Sequence, residues 1–238
     1  RGGSKVRITG QLIDAESGAH LWADRFDGDL ENIFDLQDSI AESVVGVVEP
    51  TLREAEIARS QRKGPKNLDA YDFLLRSMPN VFAFKKDENA IAISLLEKAI
   101  DLDPELAPAL ALQAWCVQQR ATFNWQNQSD EGRAVAAGLA RRAIAAGQNQ
   151  ASALAAAGFV LVVSARDFSA GMAAPRRALE FNVNSAYVCM HAGFCHAFNG
   201  AAEEAIEWLE RSKLLSPLDP LTFHIHGGMA IAHMDAQR

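Results

Sequence analysis

Apolar and polar residues alternate along the first part of the chain. Val6, Ile8 and Leu12 share one face, and polar residues lie between them. A period of two with β-branched residues predicts a half-buried strand. Gly18 marks a turn, and the alternation resumes beyond it. The pattern therefore predicts a β-hairpin over residues 5–27.

The spacing of apolar positions then changes to three and four, as Ile33, Leu36 and Ile40 illustrate. This spacing predicts one amphipathic helix over residues 31–62. Pro50 interrupts the pattern, so either the helix is kinked there or a second helix begins with the proline in its first turn.

Residues 64–67, with the sequence GPKN, form a cluster of helix breakers. Such a cluster predicts a domain boundary, which separates residues 1–64 from residues 68–238. Beyond it all apolar spacing is helical. The predicted helices cover residues 69–79, 87–102, 108–122, 133–146, 152–164, 170–181, 186–199, 203–215 and 221–234.

A small residue returns at a nearly fixed interval in this second part. Ala99, Ala143, Ala178 and Ser212 are 44, 35 and 34 residues apart, and a polar insertion at 124–132 accounts for the longer first interval. A period near 34 indicates a solenoid of paired helices. Solenoids usually present a binding surface rather than a catalytic centre.

These repeats resemble the tetratricopeptide repeat (TPR). The fourth repeat carries the pattern best, at Ala192, Gly193, Gly200, Ala205, Leu209, Ser212 and Pro217. The resemblance implies a mostly α fold: an α-α superhelix of about four repeats and a truncated fifth, preceded by the β-hairpin and the long helix. Small residues are needed where the two helices of a repeat cross closely.

The runs 6–14, 18–27 and 33–38 resemble the end of the amino-terminal domain of TolB, a small α/β domain. In a group of bacterial proteins it links repeats to class III adenylate or guanylate cyclase domains. The resemblance implies that residues 1–64 are the C-terminal part of such a linker domain, and that the chain is a fragment of a longer cyclase. Because no residue corresponds to the catalytic aspartates of those cyclases, the fragment itself is expected not to be an enzyme.

Composition restricts the classes of binding partner and the cellular compartment. The net charge of −7 argues against nucleic acid and against direct contact with anionic membranes. The cysteines, an odd number, lie inside apolar helical patterns, which favours a reducing cytoplasm over a disulfide framework. The chain has no apolar run of about 18 residues that would span a membrane.

Metal and nucleophile chemistry are weaker hypotheses. His191 and Cys195 are four residues apart on one predicted helix, a spacing that could hold zinc. However, the CxxC and HExxH motifs are absent, so no metal and no cofactor are predicted. The cysteines are expected to be small core residues rather than nucleophiles. An acidic cluster at Asp24, Asp27 and Asp29, at a predicted strand end, could hold a hard cation but is interpreted as a solvated turn and helix-capping group.

The register of the repeats predicts a concave groove lined by the first helix of each repeat. Its predicted lining residues are Trp115, Gln118, Gln119, Ala155, Phe159, Val162, Tyr187, Met190, Phe194, Phe198 and His224. The set lacks the Lys, Arg and Asn of the carboxylate-clamp subtype. An apolar groove suits an amphipathic helix or an extended hydrophobic peptide, so a protein or peptide partner is predicted.

Alternatives stay open at this point. The groove residues could be core between repeats, or an intramolecular segment, the hairpin-helix unit or the fifth repeat, could fill the groove. The truncated C-terminal end, with Leu221, Phe223, Ile225 and Ile231, could instead form a homodimer. The parent could be an adaptor beside a transcription-regulator domain rather than a cyclase, or the repeats could form a metal-binding or enzymatic domain.

Overall fold

The computed structural model describes residues 5–236 except 16–17, 19, 30–32, 65–67, 126–129, 218 and 220. Two strands and ten helices lie in this described part. In chain order they are β1 (Lys5–Ile13), β2 (His20–Asp29), α1 (Ile33–Arg62), α2 (Ala70–Val81), α3 (Lys86–Leu102), α4 (Ala107–Thr122), α5 (Asp130–Ala146), α6 (Ala151–Val160), α7 (Phe168–Phe181), α8 (Ala186–Phe198), α9 (Ala202–Leu215) and α10 (Thr222–Ala236).

The predicted hairpin is confirmed. Strands β1 and β2 are antiparallel, with Val6 opposite Gly28 and Leu12 opposite Trp22. The second strand continues two residues beyond the predicted end. Exposed and partly buried positions alternate strictly along β1, as the sequence pattern requires for a strand with one covered face.

Helix α1 continues through Pro50 as one helix of 30 residues, which decides between the two alternatives left by the sequence. It contacts β2, α2 and α9. The division of the chain into a linker domain and a repeat domain remains a prediction.

Polar contacts fix the end of α1 on α2. The Ser60 hydroxyl donates to the backbone carbonyl of Asp72 at 3.1 Å, and the Lys63 ammonium donates to the Asp72 carboxylate at 2.8 Å. Burial raises the pKa of Asp72, but the hydrogen bonds from Lys63 and from the backbone of Asp69 outweigh it and leave the pKa below its usual value. The same carboxylate completes the capping box of α2 with Asp69.

The remaining helices pack in consecutive pairs, α2 with α3, α4 with α5, α6 with α7 and α8 with α9, and α10 packs on α8 and α9. The repeating small residues lie at the contacts inside these pairs. Ala99, Ala143 and Ala178 are fully buried, and Ser212 is 1% exposed. The Ser212 hydroxyl also donates to the carbonyl of Ala186 at 2.7 Å, which ties α9 to the start of α8.

One predicted helix differs in type over its last four residues. The α-helix predicted over residues 152–164 ends at Val160, and a π-helical turn, Leu161–Ala165, follows it. Arg166 then takes the left-handed conformation with φ of 51°, which ends the turn. Hydrophobic spacing does not distinguish a π-turn from an α-helix over five residues, so the sequence pattern could not reveal it.

Glycines allow the closest approach between paired helices. A Cβ on Gly158 of α6 would lie 2.5 Å from Cδ of Pro175 and 2.8 Å from the carbonyl oxygen of Gly171, both on α7. A Cβ on Gly193 of α8 would lie 2.6 Å from Cγ of Leu209 on α9. These distances are too short for any side chain, so the helix spacing in the third and fourth repeats depends on glycine.

We expect Gly158→Ala to destabilise the protein by about 1–3 kcal/mol, because the new methyl group overpacks the contact between α6 and α7. The matched control is Gly138→Ala on α5, where a Cβ meets nothing within 4 Å. The control should be neutral or stabilising by up to about 1 kcal/mol, since alanine is the better helix former. The measurement is urea unfolding followed by circular dichroism, and equal destabilisation by both variants would contradict the assignment.

Candidate functional site

The aromatic rings on the inner side of the repeat helices form one connected group, here called the inner cluster. Its members come from the α2–α3 turn and from α4, α6, α8 and α10. They are Phe82, Phe84, Trp115, Phe159, Tyr187, His191, Phe194 and His224. Side chains from all five repeat positions therefore meet at one place.

Trp115 lies at the centre of the inner cluster. Its ring is fully buried, with centroids 5.0 Å from His191, 5.7 Å from Phe84 and 6.1 Å from Tyr187. Most of these contacts have the tilted or edge-to-face geometry that aromatic pairs prefer. Phe84 reaches its position with φ of 50°, a conformation that is unusual for a bulky residue and that its ring contacts must hold in place.

His224 of α10 closes the inner cluster. Its ring centroid lies 4.5 Å from Phe194, 5.2 Å from Phe84 and 5.9 Å from Trp115. Phe223 adds an edge-to-face contact with Phe84 at 5.0 Å. The first turn of α10 thus covers this side of the inner cluster.

The predicted groove residues are together in space, but most are enclosed. Eight of them are at most 9% exposed: Trp115, Gln118, Gln119, Phe159, Val162, Tyr187, Met190 and Phe194. Ala155 is fully buried, His224 is partly buried, and Phe198 is 40% exposed. Their role as a docking surface remains a prediction, and in this conformation they form the core between repeats.

Two of these residues make specific contacts between helices. The Gln119 side chain donates to the carbonyl of Val81 at 3.3 Å and accepts from Asn89 at 3.1 Å, in a buried network that joins α2, α3 and α4. Val162 packs towards α7, since its Cγ2 would meet a Cβ on Gly171 at 2.5 Å. The repeat register alone predicted neither contact, because a register gives the face of a helix and not the partner across it.

The inner cluster contains buried polar atoms that no described protein group satisfies. They are Nε1 of Trp115, the hydroxyl of Tyr187, Nε2 of His191 and Nε2 of His224. Nδ1 of His191 lies 2.8 Å from the carbonyl oxygen of Tyr187, and since a carbonyl only accepts, Nδ1 carries the proton. Unsatisfied buried groups are rare in folded proteins, so their concentration here distinguishes this region from an ordinary core.

A cavity of about 490 Å³ adjoins the inner cluster, between α1 and the repeat helices. Val44, Val48 and Leu52 line it from α1, and Tyr187 lines it from α8. Ten of its sixteen lining residues are apolar. The sequence predicted the apolar stripe of α1, but it did not predict which helices lie opposite this stripe or that a cavity separates them.

Two polar pairs lie along the cavity. The Arg53 guanidinium carbon is 5.9 Å from the ring centroid of Phe82, and the Tyr71 hydroxyl donates to the Glu56 carboxylate at 2.8 Å. Burial and this hydrogen bond raise the pKa of Tyr71 to about 12. Both charged residues lie on α1, one turn apart.

The cysteines are buried as free thiols, which agrees with their prediction as core residues. Burial raises the pKa of Cys116 to about 12 and also raises that of Cys195, so neither forms a thiolate near neutral pH. Across the described part of the chain, no three His, Cys, Asp or Glu side chains are grouped so that they could hold a metal ion.

At the hairpin, Asp27 is paired with Arg7 at 2.6 Å and with Arg25 at 3.4 Å. The hydrogen bond from Arg7 holds the pKa of Asp27 below its usual value. All three aspartates of the acidic cluster lie in strand β2, opposite Gly10, Arg7 and Lys5 of β1, so the turn expected there is wrong.

The expected exposure of the C-terminal helix is partly wrong. Leu221, just before α10, and Ile225 within it are 5% and 1% exposed, because this segment packs on α8 and α9. Phe223 is exposed, as expected, and Met234 is exposed as well. None of the helices described here has both the length and the apolar character needed to cross a membrane.

The fold is that of a tetratricopeptide repeat protein. The structure superposes on a thermophilic TPR protein from Thermus thermophilus with a TM-score of 0.56 and 13% identity, over 82% of this chain and 99% of that one. Another solved TPR protein, YrrB, whose peptide-binding site is called unusual, gives a TM-score of 0.39 at 18% identity over 71% of this chain and 78% of its own. That score is too low to support an argument about binding.

In sequence, the chain is 31% identical over 144 residues to a protein of Rhizobium meliloti (strain 1021) named "Putative adenylate cyclase 3". The match covers 60% of this chain and 24% of that protein, so the chain spans about a quarter of this curated relative. Comparison with models of known protein families gives no match.

We expect the inner cluster to make stability depend on pH. Burial lowers the pKa of His191 to about 3 and of His224 to about 4, whereas the unfolded chain takes up protons near pH 6.5. Stability is therefore complete above about pH 6.5 and is lost as the pH falls towards about 4. Removing one of the two histidines with His224→Leu should reduce the fall in melting temperature between about pH 7 and about pH 5.

The matched control is His226→Leu, two residues further along α10 at an exposed position. It should keep the wild-type fall in melting temperature. If His224→Leu showed the same fall as the wild type, His224 would not be held neutral in the folded protein.

Proposed function

We propose that the chain is the non-catalytic, protein-binding regulatory region of a bacterial adenylate cyclase. One observation carries the proposal: a TPR fold coincides with sequence similarity to the protein named "Putative adenylate cyclase 3". TPR arrays generally act by holding partners. A regulatory region of this kind would bias a catalytic domain elsewhere in the parent protein.

The chemistry of the inner cluster supports a binding role rather than a catalytic one. Burial keeps His191 and His224 uncharged and keeps Cys195 protonated. Catalysis would need an acid, a base or a nucleophile that titrates near the working pH and can reach a substrate. Three thiols buried without disulfides also favour the reducing cytoplasm as the location.

The rim of the inner cluster is the part that a partner could reach first. Phe198, Phe123 and Phe223 are 40%, 39% and 53% exposed, and Phe223 lies on α10 directly over the inner cluster. We expect an apolar peptide or an amphipathic helix to bind here by displacing the first turn of α10. The partner would then take the place of the first turn of α10, so binding would change the conformation of the protein.

The isolated chain, incubated with ATP and Mg²⁺ or Mn²⁺, should form no cyclic AMP above background. The full-length gene product should form it under the same conditions. Cyclic AMP production by the isolated chain would overturn the non-catalytic assignment. An inactive full-length product would favour an adaptor in a parent of another kind.

In an active full-length product, Phe198→Glu should change the cyclase rate by about five-fold or more, the lower range of typical coupling between sites. The matched control is Phe168→Glu, which has 38% exposure but lies at the start of α7. The control should leave the rate unchanged. If the two variants behaved alike, the rim of the inner cluster would have no regulatory role.

A further inference from the structure

The cavity beside α1 has a long apolar side. Val44, Val48 and Leu52 are spaced by four along α1 and face Leu75 and Met78 of α2 across the cavity. Its volume of about 490 Å³ is within the range of pockets that bind small molecules. Few polar groups lie along this side, so an extended peptide would leave its backbone groups unsatisfied there.

The other side of the cavity has two hydrogen-bond donors beside Phe82: the partly exposed Arg53 guanidinium and the buried Tyr187 hydroxyl. The Arg53 guanidinium lies over the Phe82 ring, and the Tyr187 ring meets it edge-on with centroids 6.3 Å apart. Among the described residues no carboxylate is within ion-pair distance of Arg53, and no group bonds the Tyr187 hydroxyl. Tyr187 is only 9% exposed, so its hydroxyl is removed from bulk water.

Both groups act as donors. Burial raises the pKa of Tyr187, and the positive charge of nearby Arg53 offsets only part of this rise, so the hydroxyl stays protonated. Glu56, the other charged residue of α1 that lines the cavity, already accepts a hydrogen bond from Tyr71. A ligand that offers an anionic acceptor would therefore satisfy Arg53 and Tyr187 together.

We propose that this cavity binds a small amphipathic carboxylate, such as a fatty acid. The carboxylate accepts hydrogen bonds from Arg53 and from the Tyr187 hydroxyl, and the hydrocarbon chain lies along Val44, Val48 and Leu52. The proposal goes beyond the regulatory function above and does not depend on it, because binding can be measured on the chain itself.

Binding would link α1 to the repeats. The cavity walls belong to α1, α2, α4, α6 and α8, so one ligand contacts the long helix and four repeat helices at once. A ligand that binds only the folded arrangement stabilises it by mass action. Its expected structural effect is to hold α1 against α2.

The test is calorimetric titration of the purified chain with decanoate below its micelle concentration, and with 1-decanol as the uncharged analogue. We expect decanoate to bind one molecule per chain, and 1-decanol to bind about ten-fold more weakly, because it lacks charge-assisted hydrogen bonds. Tyr187→Phe and Arg53→Met should each weaken decanoate about ten-fold while changing 1-decanol little.

Arg62→Met is the matched control, since Arg62 is an exposed residue at the end of α1 and does not line the cavity. It should bind decanoate like the wild type. Tyr187→Phe keeps the ring in the inner cluster, so circular dichroism should confirm an unchanged fold. Absence of saturable decanoate binding, equal affinity for 1-decanol, or unchanged decanoate affinity in both cavity variants would overturn the proposal.

Discussion

The structure depends on how closely the two helices of each repeat can approach. Buried alanines and glycines at the crossings, such as Ala143, Gly158 and Gly193, leave no room for a larger side chain. Because these contacts recur at a nearly constant interval, each helix pair is placed on the previous one by the same geometry. The resulting curvature brings the inner rings of distant repeats within van der Waals range of each other.

The inner cluster is the consequence of that curvature. Trp115 and His224 are more than one hundred residues apart, yet their ring centroids are separated by 5.9 Å. The cluster gains stability from buried aromatic area, but it also encloses polar atoms that lack protein partners. A core with unsatisfied polar atoms is less stable than an all-hydrocarbon core. This is the reason to expect both the pH-dependent stability and the proposed displacement of α10 in the same region.

Helix α1 lies between the hairpin and the repeats. Its C-terminal end makes polar contacts with α2, and an apolar stripe runs along the helix before that end. Lys63 and Ser60 anchor its end on Asp72, whereas Val44 and Val48 face a cavity rather than a close-packed surface. The anchored end fixes the direction of the helix, and the cavity leaves its apolar face incompletely covered. This combination is the basis for the ligand site proposed between α1 and the repeats.

The sequence by itself determined the hairpin, the helical character of the rest of the chain and the small residues at the helix crossings, because each of these depends on periodicity within a short window. It also identified most members of the inner cluster, such as Trp115 and Phe194, as inward-facing. Only the tertiary structure decided that α10 covers them, that Gln119 bonds across helices, and that Arg53 and Tyr187 share a cavity. Those contacts depend on the small rotations between successive repeats, added over several repeats. No local sequence pattern predicts the accumulated rotation.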